Sequence, residues 1–173
     1  MTQPSILIEP STDARKLSAV ARASFLETFA DTIGFDDIAA RAQTEDSVEG
    51  FEAAIRNGNA LWLASVEATG TPVGFAMTCA PELPEIATTE DDLELKRIYL
   101  LSRFQGGGTG YRLLRAVVEL VSARGASRLL LGVHVENPAV RWYERQGFRK
   151  IGERSFRVGD SWFDDHIMAL TLA

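Results

Sequence analysis

Cysteine and histidine are scarce in this chain of 173 residues, which holds one cysteine and two histidines. A single cysteine, Cys79, excludes an internal disulfide and any site built from several cysteines, in agreement with a reducing compartment. We interpret Cys79 as a core thiol. The two histidines, His134 and His166, stand far apart, and Asp164-Asp165-His166 lacks any recognised ligand spacing. We therefore expect no metal site.

Long apolar runs are also missing. The longest, such as Leu129-Leu130-Leu131, fall far short of the roughly 20 residues that a membrane span needs. The segment from Met1 to Ser5 carries no basic patch and no long apolar run follows it, so it does not have the pattern of a signal peptide. These absences predict a cytoplasmic protein without a membrane span.

Basic residues are fewer than acidic ones, 18 against 24, which gives a net charge of −6. A protein that wraps nucleic acid needs a basic footprint, so we expect no nucleic-acid partner. Acidic residues concentrate between Glu82 and Asp92, with Asp31, Asp36 and Asp37 elsewhere. This charge would attract a polyamine or a lysine side chain, and a solvated acidic face explains it equally well.

The pattern of apolar residues predicts one mixed α/β domain over residues 1–173 with the order β α α β β β α β α β β. One helix is expected from a cap at Ser11, Thr12 or Asp13 to Ile33-Gly34, and a second from Asp46 to Asn57. Pro10 is expected to end the first strand. The remaining predicted elements are strands at 61–66, 73–78, 93–100 and 129–135, helices at 108–124 and 138–146, and a hairpin of 148–158 and 162–170 turning at Gly159-Asp160.

A glycine-rich loop lies between the predicted strand at 93–100 and the helix that follows it. Its residues are Gln105, Gly106, Gly107, Gly108, Thr109 and Gly110. Glycines let the backbone approach an oxyanion closely, and a helix N-terminus stabilises negative charge, so phosphate is the natural ligand. No Lys-Ser or Lys-Thr follows, which disfavours a P-loop, and Leu113 replaces the last glycine of the dinucleotide fingerprint. For the loop in isolation, a flexible glycine-rich turn is the alternative.

Further motifs give the loop a context. Glu94 to Leu100 precedes Gln105-x-x-Gly108-x-Gly110, and Asn137-Pro138 precedes Tyr143-Glu144-Arg145-Gln146-Gly147-Phe148. This combination resembles the GNAT superfamily of N-acetyltransferases. Within it the chain looks most like PaiA-type spermidine/spermine N-acetyltransferases, through Phe25 to Thr32 and through Asp165 to Met168.

The resemblance implies a fold, a co-substrate and its binding residues. The fold would be a central mixed sheet of six to seven strands with splayed middle strands and about four flanking helices. Acetyl-CoA would be the co-substrate, with no metal, and family members are often dimers, which makes a homodimer one expectation. The implied cofactor-binding residues are Ile98, Tyr99, Leu100, Gln105, Gly106, Gly107, Gly108, Thr109, Gly110, Tyr111, Asn137 and Tyr143.

The resemblance also implies two catalytic residues. Tyr143 occupies the position of the acid that protonates the leaving thiolate of coenzyme A. An alkylamine has a pKa near ~10.4, so the acceptor needs a base or a proton-conducting water. Glu94 stands where several GNAT enzymes carry a glutamate base; an ordinary surface carboxylate beside Lys96 is the alternative.

The expected activity is direct acetyl transfer to a primary amine of a small molecule, with a polyamine as one option. Acetylation of a protein N-terminus or of a lysine is the nearest alternative among enzymes. A non-catalytic acyl-CoA-binding sensor is the alternative from another class.

Overall fold

The computed structural model of the chain describes residues 4–158 and 161–172, and these residues form seven strands and five α-helices. The strands are β1 Ile6–Pro10, β2 Ala60–Val66, β3 Pro72–Cys79, β4 Asp92–Leu100, β5 Arg128–His134, β6 Arg149–Val158 and β7 Ser161–Thr171. The helices are α1 Ala14–Phe29, α2 Phe35–Gln43, α3 Val48–Arg56, α4 Thr109–Ala123 and α5 Ala139–Arg145.

All seven strands belong to one mixed sheet with the order β1-β2-β3-β4-β5-β7-β6. The strands β1 and β2, β2 and β3, β5 and β7, and β7 and β6 pair antiparallel. Strands β4 and β5 pair parallel, and their ladder runs from Asp92↔Arg128 to Glu94↔Leu130. Both strands continue beyond this last pair, so the central ladder ends early at Glu94.

The chain divides into two structural units, and each unit is made of two chain segments. The first unit comprises Met1–Thr78 and Arg97–Val117, and the second comprises Cys79–Lys96 and Val118–Ala173. Strand β4 therefore contributes its first part to the second unit and its last part to the first.

The first unit has an apolar core in which α1 and α3 cover β2 and β3. Leu17 of α1, Phe51 of α3 and Phe75 of β3 are buried, and their side chains belong to one cluster. Asp13 caps α1 by accepting a hydrogen bond from the Lys16 backbone N–H, and Ser47 caps α3 in the same way. These caps explain where both helices begin.

The second unit has its own core between the 80–91 segment and the strands β5 and β7. Leu83, Leu130 and Ile167 are buried in one cluster, with Ile86 packed against it. A register shift interrupts the β6–β7 ladder between Lys150 and Gly152. A Cβ atom at Gly152 would lie 2.9 Å from Cγ2 of Ile86, so only glycine lets this side chain approach the strand.

Two sequence expectations differ from the structure. The first helix is expected to run to Ile33-Gly34, but α1 ends at Phe29. Residues 35–43 form a separate helix, α2, so the structure has five helices rather than about four. Helix α2 carries Phe35, Ile38, Ala39 and Ala42 at helical spacing, but it is nine residues long and buries one side chain, Ile38, so its pattern is short. The first strand, expected over residues 5–9 and stopped by Pro10, spans Ile6–Pro10 and so includes the proline as its last residue, which an edge strand tolerates.

The other predicted elements are present with boundaries that differ by one or two residues. The predicted turn at Gly159-Asp160 lies outside the described residues. Among the described residues, no helix is long and apolar enough to cross a bilayer.

Candidate active site

The glycine loop adopts a conformation that depends on its glycines. Gly106 and Gly108 have φ angles of +79° and +81°, in the left-handed region that favours glycine. The carbonyl of Gly108 accepts a hydrogen bond from the Arg112 N–H at 3.0 Å, so α4 starts directly after it. The first backbone N–H groups of an α-helix have no partner within the helix. Loop and helix start thus present backbone donors at an exposed surface, as an anion site requires.

The side chain of Gln105 turns back to the strand. Its Nε2 donates to the carbonyl oxygen of Leu100 at 2.7 Å. The next residue, Leu101, donates its N–H to the carbonyl of Val73 at 2.9 Å. Gln105 therefore closes the connection between β4 and the loop, and its backbone rather than its amide side chain is available to a phosphate.

The side chains of the last residues of β4 are partly buried. Ile98, Tyr99 and Leu100 are each half-buried. The ring of Tyr99 stacks on Phe75 at a centroid distance of 5.9 Å and packs with the core cluster of the first unit. The ring of Tyr99 is therefore part of the core of the first unit. Tyr111, in the first turn of α4, is exposed.

Glu94 is a buried carboxylate, with 1% of the residue exposed. Its Oε2 accepts a hydrogen bond from the backbone N–H of Glu82 at 2.7 Å, and its Oε1 lies 3.6 Å from Nζ of Lys96. The alternative of an ordinary surface carboxylate is therefore wrong. The neighbouring Lys96 is also held by Oε2 of Glu82 at 2.8 Å. Burial alone would lower the pKa of Lys96, but the hydrogen bond to Glu82 and the charge of Glu94 together raise it.

The acidic segment before β4 is tied down rather than fully solvated. Asp92 is buried and forms two hydrogen bonds with the Arg128 guanidinium, at 2.8 and 2.6 Å, while its Oδ2 also accepts from the Thr89 N–H. The bonds from Arg128 lower the pKa of Asp92 to about 2, against the opposing effect of burial. Glu85, Glu90 and Asp91 remain exposed. Glu82 is exposed as well but is paired with Lys96, so a cation would meet Glu85, Glu90 and Asp91 rather than Asp92.

Tyr143 lies on α5 and is buried between two aromatic rings. Its ring centroid is 5.0 Å from that of Trp142 and 5.5 Å from that of Phe148, with both contacts edge-on. Asn137 lies just before α5, and its Oδ1 accepts from the N–H of Ala139, the first residue of the helix, at 2.8 Å. Asn137 thus fixes the start of the short helix that carries Tyr143. Glu94, Asn137 and Tyr143 all belong to the second unit.

The cysteine and the histidines occupy ordinary structural positions. Cys79 is buried at the end of β3. His134 places Nδ1 at 2.9 Å from the carbonyl of Asp164, and its ring meets Phe163 edge-on. His166 lies on β7 with Nδ1 at 3.9 Å from Oε1 of Glu153. No group of three or more potential ligands for a metal ion occurs within the described ranges 4–158 and 161–172.

Sequence reasoning missed two sets of contacts. Asp46 is buried and accepts hydrogen bonds from Arg97 on β4 and Arg41 on α2. Glu27 on α1 accepts two hydrogen bonds from Ser102, directly after β4. In both cases the partners are far apart in the chain, and no local pattern marks them.

Comparisons with known proteins give this architecture a family. The model of the acetyltransferase (GNAT) family matches residues 23–148. An uncharacterized N-acetyltransferase of Mycobacterium tuberculosis is 30% identical over 162 residues, which cover 93% of this chain and 99% of the relative. The PaiA N-acetyltransferase of Thermoplasma acidophilum, solved in complex with coenzyme A, is similar with a TM-score of 0.72 and 21% identity, covering 96% of this chain and 99% of that one. A ribosomal-protein-alanine N-acetyltransferase from Brucella melitensis gives a TM-score of 0.70 and 26% identity, covering 96% and 99%.

Fold and comparisons together define the class of protein: this is an acetyl-CoA-dependent N-acetyltransferase, with acetyl-CoA as its co-substrate. The chain belongs to the acetyltransferase (GNAT) family. The fold class predicted from the sequence is confirmed, with seven strands in the mixed sheet.

Proposed function

We propose that the chain transfers the acetyl group of acetyl-CoA directly to a primary amine of a small molecule, through a ternary complex. The observation that carries this proposal is the buried carboxylate of Glu94 at the last pair of the β4–β5 ladder. A carboxylate in this setting is suited to proton transfer, a step that an acyl-CoA sensor does not perform. The burial of Cys79 supports direct transfer over an acetyl-cysteine intermediate.

The co-substrate is held mainly by backbone groups in this proposal. Ile98, Tyr99 and Leu100 pair with the pantetheine arm, and the residues from Gln105 to Tyr111 bind the pyrophosphate. The positive φ angles of Gly106 and Gly108 and the start of α4 support this assignment. Asn137 supports the site through its hydrogen bond to the first residue of α5. Its side-chain amide also contacts the cofactor in this proposal.

Glu94 acts as the general base through a water molecule. An amine that has lost its proton attacks the thioester, so the proton of the ammonium form must leave first. Oε2 of Glu94 is engaged by the Glu82 N–H, so Oε1, which lies 3.6 Å from Nζ of Lys96, is the oxygen that accepts the proton in this proposal. Because 1% of Glu94 is exposed, a water relay suits the geometry better than direct contact with the amine.

Tyr143 acts as the general acid that protonates the departing thiolate of coenzyme A. A phenol with a pKa near ~10 can donate to a developing thiolate over a short hydrogen bond. The rings of Trp142 and Phe148 fix the orientation of the phenol. Packing therefore supports this role by restricting where the hydroxyl points.

A polyamine is the acceptor that the charge distribution favours. Glu85, Glu90 and Asp91 are exposed next to a strand that carries Glu94. These carboxylates attract a polycation, and the attraction weakens as salt rises. Acetylation of a protein N-terminus is the second candidate, and the 26% identity to the Brucella ribosomal-protein-alanine N-acetyltransferase favours it.

The test is the release of free coenzyme A from acetyl-CoA across spermidine, spermine, small monoamines, amino acids, lysine peptides and a peptide that begins with alanine. Turnover on spermidine or spermine supports the polyamine proposal, and turnover confined to the alanine peptide supports the second candidate. Binding of acetyl-CoA without turnover on any acceptor contradicts both.

Two variants test the residue roles on whichever acceptor reacts. Tyr143→Phe should lower kcat by about 100-fold, the lower end of general acid catalysis, with little change in the KM for acetyl-CoA. Glu94→Gln keeps an oxygen for the Glu82 N–H but removes the base. Its loss of activity relative to the wild type should shrink as the pH approaches the pKa of the amine, because more of the amine is then already neutral. Glu144→Gln, at an exposed position on α5, is the control and should behave like the wild type.

A further inference from the structure

A carboxylate from α1 holds the segment that connects β4 to the glycine loop. Oε2 of Glu27 accepts the backbone N–H of Ser102 at 2.9 Å, and Oε1 accepts the Ser102 hydroxyl at 2.7 Å. The two residues are 75 positions apart in the chain. Both carboxylate oxygens of Glu27 therefore accept hydrogen bonds from the same residue of this connection.

Ser102 is the first residue of a short 3-10 turn that ends at Phe104, immediately before the glycine loop. The N–H groups at the start of such a turn have no partner within it, so an external acceptor stabilises the turn. At the other end, the Gln105 N–H donates to the Ser102 carbonyl and its amide donates to the Leu100 carbonyl. The connection is therefore held at both ends, once from α1 and once from β4.

We propose that Glu27 is a positioning residue for coenzyme A: through Ser102 it fixes the connection from which the phosphate-binding loop starts. This inference rests on the proposed role of residues 105–111 in pyrophosphate binding. The backbone donors of that loop act well only if they are held in place before the phosphates arrive. Glu27 thus acts on binding through Ser102 without touching the ligand.

The charge of Glu27 makes the proposal sharply testable. Coenzyme A is an anion, so on charge alone the removal of a nearby carboxylate tightens binding. The positioning role predicts the opposite. A glutamine at this position can still accept the Ser102 N–H and can donate its amide to the Ser102 hydroxyl, so it should rescue the function.

The experiment compares Glu27→Ala, Glu27→Gln, Ser102→Ala and the double variant by calorimetric titration with coenzyme A. Glu27→Ala should weaken coenzyme A binding about fivefold to tenfold, which is less than the full loss of hydrogen bonds to a charged group because the site is exposed. Glu27→Gln should stay within about twofold, and Ser102→Ala should fall between because its N–H remains. The double variant should be no weaker than Glu27→Ala, since both changes remove one interaction.

A second donor separates positioning from general damage. S-acetylpantetheine has the thioester arm of acetyl-CoA without the pyrophosphate, so its KM should be the same in Glu27→Ala and in the wild type. Glu52→Ala, which removes an exposed glutamate of α3 in the same unit, should leave both donors unaffected.

Three results would overturn the proposal. Tighter binding of coenzyme A to Glu27→Ala would show that only the charge of Glu27 matters, and equal binding would show that its contact with Ser102 does not position the loop. An equal loss for S-acetylpantetheine would show that the effect is not specific to the phosphate loop. If the wild type does not bind coenzyme A, the proposed function fails and this inference fails with it. If the wild type binds normally and Glu27→Ala is unaffected, the inference alone is refuted.

Discussion

Gly108 is the position where the phosphate-binding proposal makes its most quantitative prediction. Its φ angle is +81°, and a Cβ atom built there meets no atom within 4 Å. Alanine at this position therefore meets no clash and is penalised only by its backbone conformation, which costs about 1–2 kcal/mol for a residue with a side chain. The loop is exposed, so it can relax to a different conformation when no ligand is bound.

Gly108→Ala is therefore expected to lose affinity rather than stability. Coenzyme A must restore the strained conformation on binding, so its dissociation constant should rise about 5- to 30-fold, given that 1.4 kcal/mol is a factor of ten. The assay is calorimetric titration with coenzyme A, together with thermal unfolding. The unfolding temperature should change little.

Two glycines of the same unit are matched controls. Gly58 follows the end of α3, has a φ of +83° and has open space at its Cβ position. The next residue, Asn59, donates its N–H to the Ala54 carbonyl, which holds this helix end in place. Gly58→Ala should lower the unfolding temperature by about 2–8 °C without altering coenzyme A binding. Gly34→Ala, with open space and a φ of −61°, should change neither property. Binding of coenzyme A to Gly108→Ala within about twofold of the wild type would refute the reasoning.

Three further predictions concern stability and strand packing. At neutral pH Asp92→Asn should be about 2 kcal/mol less stable than the wild type, because Arg128 lowers the pKa of Asp92 by nearly two units, each worth about 1.4 kcal/mol. The difference should persist above about pH 4 and vanish as the pH falls through about 2, where the folded carboxyl takes up its proton. Asp46→Asn should cost about 1.5–3 kcal/mol because it removes the buried charged acceptor of Arg97 and Arg41, which then keep the exposed carboxylate of Glu45. Gly74→Ala should cost about 1–3 kcal/mol by overpacking, since its Cβ would lie 2.8 Å from the Tyr99 carbonyl oxygen.

Denaturant titration measures all three changes. Asp31→Asn, at an exposed position, is the control for both aspartates and should stay within about 0.5 kcal/mol of the wild type. A pH-independent difference for Asp92→Asn would contradict the assigned ion pair. Unchanged stability of Asp46→Asn or Gly74→Ala would contradict the burial of the first and the close β3–β4 contact of the second.

Local signals predicted most of the elements, because they depend on residues close together in the chain. Helix α4 was predicted at 108–124 and spans Thr109–Ala123, since its apolar face recurs with helical spacing. Helix α2 has the same kind of spacing, in Phe35, Ile38, Ala39 and Ala42, but only over nine residues, and the prediction from sequence overlooked it. Asp36 and Asp37 in its first turn and Arg41 in its last complement the helix dipole and are a second signal.

The candidate site was predictable in its residue types but not in its geometry. The sequence left Glu94 open between a base and a surface carboxylate, because its burial depends on the 80–91 segment and on the Glu82 N–H. The contact of Glu27 with Ser102 and that of Asp46 with Arg97 join residues 75 and 51 positions apart. Such pairs carry no periodic pattern, and the fold is needed to bring them together.

Transfer of a labelled acetyl group tests the central claim most directly. Acetyl-CoA labelled in its acetyl group is incubated with the purified chain and the reactive amine, and the product is analysed by mass spectrometry while both substrate concentrations are varied. The account predicts label in an amide of the acceptor, none on Cys79, and intersecting double-reciprocal lines typical of a ternary complex. Label retained on the protein with parallel lines, or no labelled acceptor from any amine, would contradict it.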